Sequence, residues 1–173
     1  MRSGLISAKI IERMQKSPYV IAFDADDTLW DHESYFVETR EQIAKKLSKY
    51  ISSKALEDQL YQVEKRNIPI FGYGVKGFMI SVIETATEIS NGEVTAQEIR
   101  EIIDLGKDLM AHPIKLRPYV KETIKELSHN NSLTLITKGD LFHQESKIAI
   151  SGIGHYFNQI EIVGEKNLET YQK

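Results

Sequence analysis

No cysteine occurs among the 173 residues, which excludes disulfides, thiol nucleophiles and cysteine-bound metal, and agrees with a reducing compartment. Long apolar runs are missing too. The segment Met1 to Lys16 interrupts its apolar positions with Lys9, Glu12 and Arg13, so it is expected to be a short amphipathic helix rather than a signal peptide or membrane anchor. Nor is there an excess of charge of one sign. With Lys+Arg 22 against Asp+Glu 25 the net charge is -3, which leaves no basic face for nucleic acid or an anionic membrane. His/Cys ligand spacing is absent, and His143 and His155 look structural, so a zinc site is not expected. Internal repeats and low-complexity segments are absent as well. These absences point to a cytoplasmic domain, and 41% hydrophobic residues are enough for a real core.

What is present is concentrated in one string. Asp24-Ala25-Asp26-Asp27-Thr28-Leu29 directly follows the apolar run Tyr19-Val20-Ile21-Ala22-Phe23, which has the pattern of a short buried strand. Such a strand delivers its terminal residues to the carboxyl edge of a parallel sheet, where open α/β folds keep their ligand crevice. Strand side chains alternate, so extended backbone past Phe23 would point Asp24 and Asp26 to one side. Two such carboxylates can divide the labour: one attacks or holds a metal, the other moves a proton. An Asp-rich turn that merely ends a strand is the plainer reading, and it suffices for Asp27-Thr28 alone. It fails for the whole string, because three crowded carboxylates repel unless cations or donors compensate.

The pattern Asp24, Asp26, Thr28 after a hydrophobic strand resembles the first motif of the haloacid dehalogenase-like superfamily, in its phosphatase branch. The resemblance implies magnesium-dependent phosphoryl transfer, with Asp24 as nucleophile and Asp26 as the acid and base. It also implies a Mg2+ site built on Asp24 and Asp26, the latter through its carbonyl, with Thr28 beside the substrate. Thr137-Lys138-Gly139-Asp140 resembles the second motif. There a hydroxyl, the N–H groups of Lys138 and Gly139 and the start of the next helix would grip phosphate oxygens. Lys166 resembles the third-motif lysine, with Lys147 in the preceding helix as the competing candidate. The fourth motif, an acidic pair that completes the magnesium site, has no counterpart after Lys166.

The remaining chain alternates between two grammars. Over residues 33–112 the apolar residues recur at helical steps: Phe36, Ile43, Ala44 and Leu47, then Leu56, Leu60 and Val63. A helix follows from Val75 to Ile89, and Thr95-Ala96-Gln97-Glu98 is a capping box that opens another. After Pro113 strands return: Ser132 to Thr137 and Gln159 to Val163, separated by a helix from Leu141 to Ser151 that stops at Gly152. Pro118 suits the first turn of a helix carrying Val120, Ile124 and Leu127. The expected fold is α/β: a Rossmann-like parallel sheet from residues 1–32 and 113–173, C-terminally truncated, with an α-helical cap over 33–112.

The expected function is hydrolysis of a small phosphorylated metabolite through an aspartyl-phosphate. The alternative is a non-catalytic phosphate-binding or regulatory fragment. A receiver-type signalling domain also clusters Asp with Thr and Lys, but carries no such helical insert. Substrate choice is expected to lie with His32, which follows the reactive loop with Trp30 and Tyr35, and with Tyr73 and Lys76 in the glycine-rich stretch Phe71 to Phe78. A first strand left unpaired along one edge is expected to favour self-association.

Overall fold

The computed structural model describes residues 19–171, so the helix expected over residues 1–16 lies outside the described residues. The fold is α/β, with one three-stranded parallel sheet. β1 (Val20–Phe23), β2 (Ser132–Lys138) and β3 (Gln159–Val163) lie in the order β1-β2-β3. Phe23 is level with Leu135, and Lys138 is level with Val163, so the ends of β1 and β2 open on the same edge. That register places Asp24 and Thr137 side by side at the carboxyl end, as the sequence expects.

Five helices lie between β1 and β2, and the first four form a helical insert: α1 (Glu33–Lys46), α2 (Ser53–Phe71), α3 (Val75–Ile89) and α4 (Ala96–Met110). Their apolar stripes close one cluster around Ile43, Leu47, Leu60, Val82 and Ile102. The boundaries follow from local chemistry. Ser52 accepts from the Ala55 N–H at the start of α2, and Gly72, at φ 74, stops the helix. The expected capping box opens α4, with both reciprocal bonds of Thr95 and Glu98 formed.

A second cluster, around Trp30, Ile124, Leu133, Leu135 and Ile153, packs the sheet against α5 (Val120–Ser128) and α6 (Leu141–Ser151). Asp140 caps α6 through the His143 N–H, and Gly152 ends it at φ 68. A short 3-10 turn (Gly154–Tyr156) leads into β3, and α7 (Leu168–Tyr171) closes the described chain.

Two sequence expectations need correction. Pro118 does not sit in the first turn of α5: it precedes the helix, because Tyr119 adopts φ 66, a left-handed conformation from which a right-handed helix cannot run backwards. β1 is not a buried strand either. Among the described residues it pairs only with β2, and Val20 is 68% exposed. The buried strand is β2, where Leu133 and Leu135 are the packed residues.

Candidate active site

The turn after β1 is built by its own backbone. The Ala25 carbonyl accepts from the N–H groups of Thr28 and Leu29, and the Asp27 N–H donates to the Trp30 carbonyl at 2.8 Å. Ala25 is sealed in the core, which forces its neighbours Asp24 and Asp26 outward into a common cleft. Asp27 turns away from them at φ 58 and accepts from the N–H groups of His32 (3.0 Å) and Glu33 (3.1 Å). It thus serves the start of α1, where His32 holds the N-cap position without a side-chain bond of its own, and this is the plain structural role its composition suggested.

Each of the two cleft carboxylates has its own lysine. Lys166 contacts Asp24 Oδ1, while Lys147 lies between both oxygens of Asp26, at 2.6 and 2.8 Å. The competition between the two lysines therefore has no single winner. Lys147 is 3% exposed, and its bidentate contact keeps it an ammonium in that setting. Burial works against the charge on Asp26, yet the Lys147 ammonium, nearby His32 and bonds from Lys147 and Trp30 together hold its carboxyl below the usual range. For Lys147 itself burial wins over Asp26 and pushes its pKa down. Burial, aided by Lys147, also pushes His32 down against the pull of Asp26, so His32 is neutral at pH 7.

Two further donors complete the carboxylate. Trp30 Nε1 donates to Asp26 Oδ1 at 2.7 Å. Gln144 Nε2 donates to Asp26 Oδ2 at 3.1 Å, to Thr137 Oγ1 at 2.6 Å and to the Lys138 carbonyl at 3.1 Å. Gln144 escaped the sequence reading. Its one visible signal is its place three residues before Lys147, which puts both on one face of α6.

Asp24, Asp26, His32, Tyr73, Thr137, Lys138 and Lys166 all line one cleft of about 490 Å3. Its far wall comes from the helical insert through Phe36, Arg40, Glu64, Ile68 and Phe78. Lys138 Nζ sits 3.6 Å from the centre of the Tyr73 ring, so these two residues meet across the cleft mouth. Thr28 lies outside the lining and reaches Asp24 Oδ2 only through a long hydrogen bond of 3.4 Å.

Lys76 is placed differently from the expectation. Its ammonium bonds both oxygens of Asp140 at 3.0 Å and ties α3 to the start of α6. Gly139 also differs, because its N–H points to the Val163 carbonyl at 3.4 Å and is used by the sheet. What Gly139 supplies is space and shape: at φ 145 a side chain is strained, and a Cβ would stand 3.3 Å from Gln144.

A magnesium ion takes about six oxygen ligands in near-octahedral order. Among the described residues no group of three or more His, Cys, Asp or Glu side chains is arranged to hold a metal. The Asp26 side chain is committed to Lys147, Trp30 and Gln144, which leaves the Asp24 carboxylate and main-chain oxygens as donors.

An acidic pair at the carboxyl edge of a parallel sheet, a buried threonine on the next strand and a lysine beyond the third thus meet in one cleft. The family model for haloacid dehalogenase-like hydrolases matches residues 20–168. The chain belongs to that family. A haloacid dehalogenase-like hydrolase from Xanthomonas campestris is 39% identical, with a TM-score of 0.84, and the alignment covers 90% of this chain and 65% of that one. This chain thus spans less than two thirds of that relative.

Two more distant structures share the fold. The putative hydrolase YfnB of Bacillus subtilis, bound to magnesium, has 15% identity and a TM-score of 0.52, over 85% of this chain and 64% of that one. A predicted phosphoglycolate phosphatase from Haemophilus somnus has 18% identity and a TM-score of 0.51, over 90% and 69%. Among proteins of curated function none matches. No helix among the described residues of this haloacid dehalogenase-like chain is long and apolar enough to cross a membrane.

Proposed function

We propose that this protein is a magnesium-dependent phosphatase of small organic phosphates, with residues 33–112 acting as a cap over the reactive cleft. The observation that carries the reading is the division of the two carboxylates between two lysines. Asp24 is 44% exposed beside Lys166 and faces the cleft, so it is free to attack phosphorus. In the first step an Asp24 oxygen forms a bond to phosphorus while the bond to the leaving oxygen breaks, and that oxygen takes up the proton that Asp26 carries into this step. In the second step water attacks the same phosphorus, Asp24 leaves, and the water proton passes to Asp26.

Asp26 is firmly aimed by Lys147, Trp30 and Gln144 and is ionised at rest; a proton taken from the incoming ester monoanion serves the first step, and the ionised form restored by that step receives the water proton in the second. Thr137 and Lys138 stand where the transferred phosphoryl oxygens come to rest, and Lys166 offsets the charge that builds on them. Magnesium, held by the Asp24 carboxylate with the Asp26 carbonyl, would neutralise phosphoryl charge. Dehalogenation is the poorer reading. A halide departs without needing a proton, so it gives Asp26 no part in the first step.

The test is phosphate release from an aryl phosphate with magnesium, read beside the intact mass of the protein. A phosphoryl adduct on the wild type, absent from Asp24→Asn, is expected. Turnover that survives Asp24→Asn overturns the assignment. The expected effect of Asp26→Asn is a slower reaction, with alkyl phosphates losing more than aryl ones; equal losses would reduce Asp26 to a scaffold. The sparse metal ligands among the described residues favour one second reading, phosphate binding without turnover. Phosphate that binds and shifts the melting temperature while no ester is cleaved would establish it.

A further inference from the structure

The helical wall of the cleft has a chemistry of its own. Arg40 on α1 is turned in over two aromatic rings, 5.8 Å from the centre of Phe36 and 5.6 Å from that of Phe78. Its charge is already answered, since Arg40 Nη1 bonds Glu33 Oε1 at 2.8 Å. Glu64, across the cleft on α2, is different. It is half-buried, it lines the same cavity, and its side chain has no hydrogen bond or ion pair among the described residues. The three groups sum to one uncompensated negative charge, facing an apolar wall of Phe36, Ile68 and Phe78.

A half-buried carboxylate without a partner lacks donors that water supplies only in part. Burial, more than the attraction of Arg40, pushes the Glu64 pKa up, which is the signature of a carboxylate short of donors. The sheet side of the cleft holds Lys138 and Lys166 and is, on the phosphatase reading, the place for the phosphate. The volume of about 490 Å3 leaves room beyond the phosphate for a small organic group.

We infer that Glu64, with Arg40 held by Glu33, forms a leaving-group subsite that takes phosphate esters bearing hydrogen-bond donors, hydroxyl or ammonium, and rejects those bearing a carboxylate. The inference rests on the phosphatase reading, which fixes the orientation of the ester. A donor of the leaving group completes Glu64, while a carboxylate in its place meets an unbalanced anion and an arginine that is already engaged.

Trp30, the single tryptophan, donates to Asp26 at the reacting end and gives a fluorescence readout that needs no turnover. The 173-residue chain is titrated with inorganic phosphate, glycerol 3-phosphate, phosphoethanolamine and phosphoglycolate. Both donor-bearing esters, or one of them, are expected to bind at least about tenfold more tightly than phosphoglycolate. Which one does so tells a hydroxyl from an ammonium.

Glu64→Gln should collapse that ratio towards one while inorganic phosphate binds as before. Glu33→Gln is the second variant. It frees Arg40 and should tighten phosphoglycolate selectively. Equal binding of the three esters to the wild type, or a ratio untouched in both variants, overturns the subsite. Loss of inorganic phosphate binding with the ester ranking intact overturns the phosphate reading alone, and no binding of any ligand overturns both.

Discussion

Between α1 and α4 the chain brings Ile43, Leu47, Val82 and Ile102 to 1% exposure or less, whereas β1, twenty residues into the sequence, leaves Val20 two-thirds open. The two regions also differ in what else they bury. In the helical region buried hydroxyls are satisfied one turn back: Thr39 bonds the Tyr35 carbonyl, Ser81 that of Gly77 and Thr85 that of Ser81. In the sheet region the buried polar groups Thr137, Gln144 and Lys147 are joined across elements and meet at Asp26. Apart from Asn67, which bonds Ser81 and Glu84 between α2 and α3, the helical region uses its interior for packing, whereas the sheet region uses part of it to aim one carboxylate. Stability and chemistry are thus drawn from different segments, and substitutions should separate them.

The largest effect is expected from Asp24→Asn, which should reduce phosphate release to background. The side chain is open to water, so unfolding should move by less than about 0.5 kcal/mol. Next comes Lys147→Met. It leaves Asp26 in a partly buried place without its cation, at a cost of about 3–5 kcal/mol. Urea unfolding measures this, and the double variant with Asp26→Asn should recover part of it. If Lys147→Met is neutral, the sheet region packs as the helices do and the contrast fails.

Ile102→Ala tests the other half. A fully buried side chain at the centre of the helical cluster should cost about 2–4 kcal/mol, while the affinity for inorganic phosphate stays within about twofold. A loss of phosphate binding at temperatures where the variant is folded would show that the two regions are not separable.

The smallest effect concerns α4. A bond from the Thr95 backbone, then bonds from Lys49 and the Thr95 hydroxyl, lower the Glu98 pKa from 4.5 to about 2. A lowered folded pKa contributes stability that is complete above about 4.5 and is lost as pH falls towards about 2. Helicity should therefore soften over that window in the wild type and much less in Glu98→Gln, with phosphate binding at neutral pH unchanged.

This contrast also decided what was legible beforehand. Helix ends announce themselves locally, so Thr95 with Glu98, and Leu141 to Ser151 with Gly152, could be placed from spacing alone. Asp24, Asp26 and Thr137 were legible because strand ends are where an α/β sheet keeps its ligands. Lys147 was reached only as a competing candidate through the family resemblance and Gln144 not at all, because they bind a carboxylate 121 and 118 residues away, a pairing that no local pattern encodes. Arg40 and Glu64 face each other across a cleft through helix packing, and on a helical wheel they look like ordinary solvated charges. The exposure of β1 was hidden for a related reason, since an apolar run says that burial is wanted and not what covers it.

One small piece of backbone lies beneath all of this. Trp30 and Leu116 form an isolated antiparallel bridge, and the Arg117 N–H donates to the Leu29 carbonyl at 2.9 Å. The chain therefore leaves the sheet region and re-enters it through two bridged segments whose Cα atoms stand only about 5 Å apart. A gap that narrow can be closed by a turn of two to five residues. The helical excursion thus leaves and returns at one narrow stem, with the Lys76–Asp140 pair as a second tie, and replacing residues between Asp31 and Lys115 by a short turn is expected to leave the register of β1 and β2 unchanged.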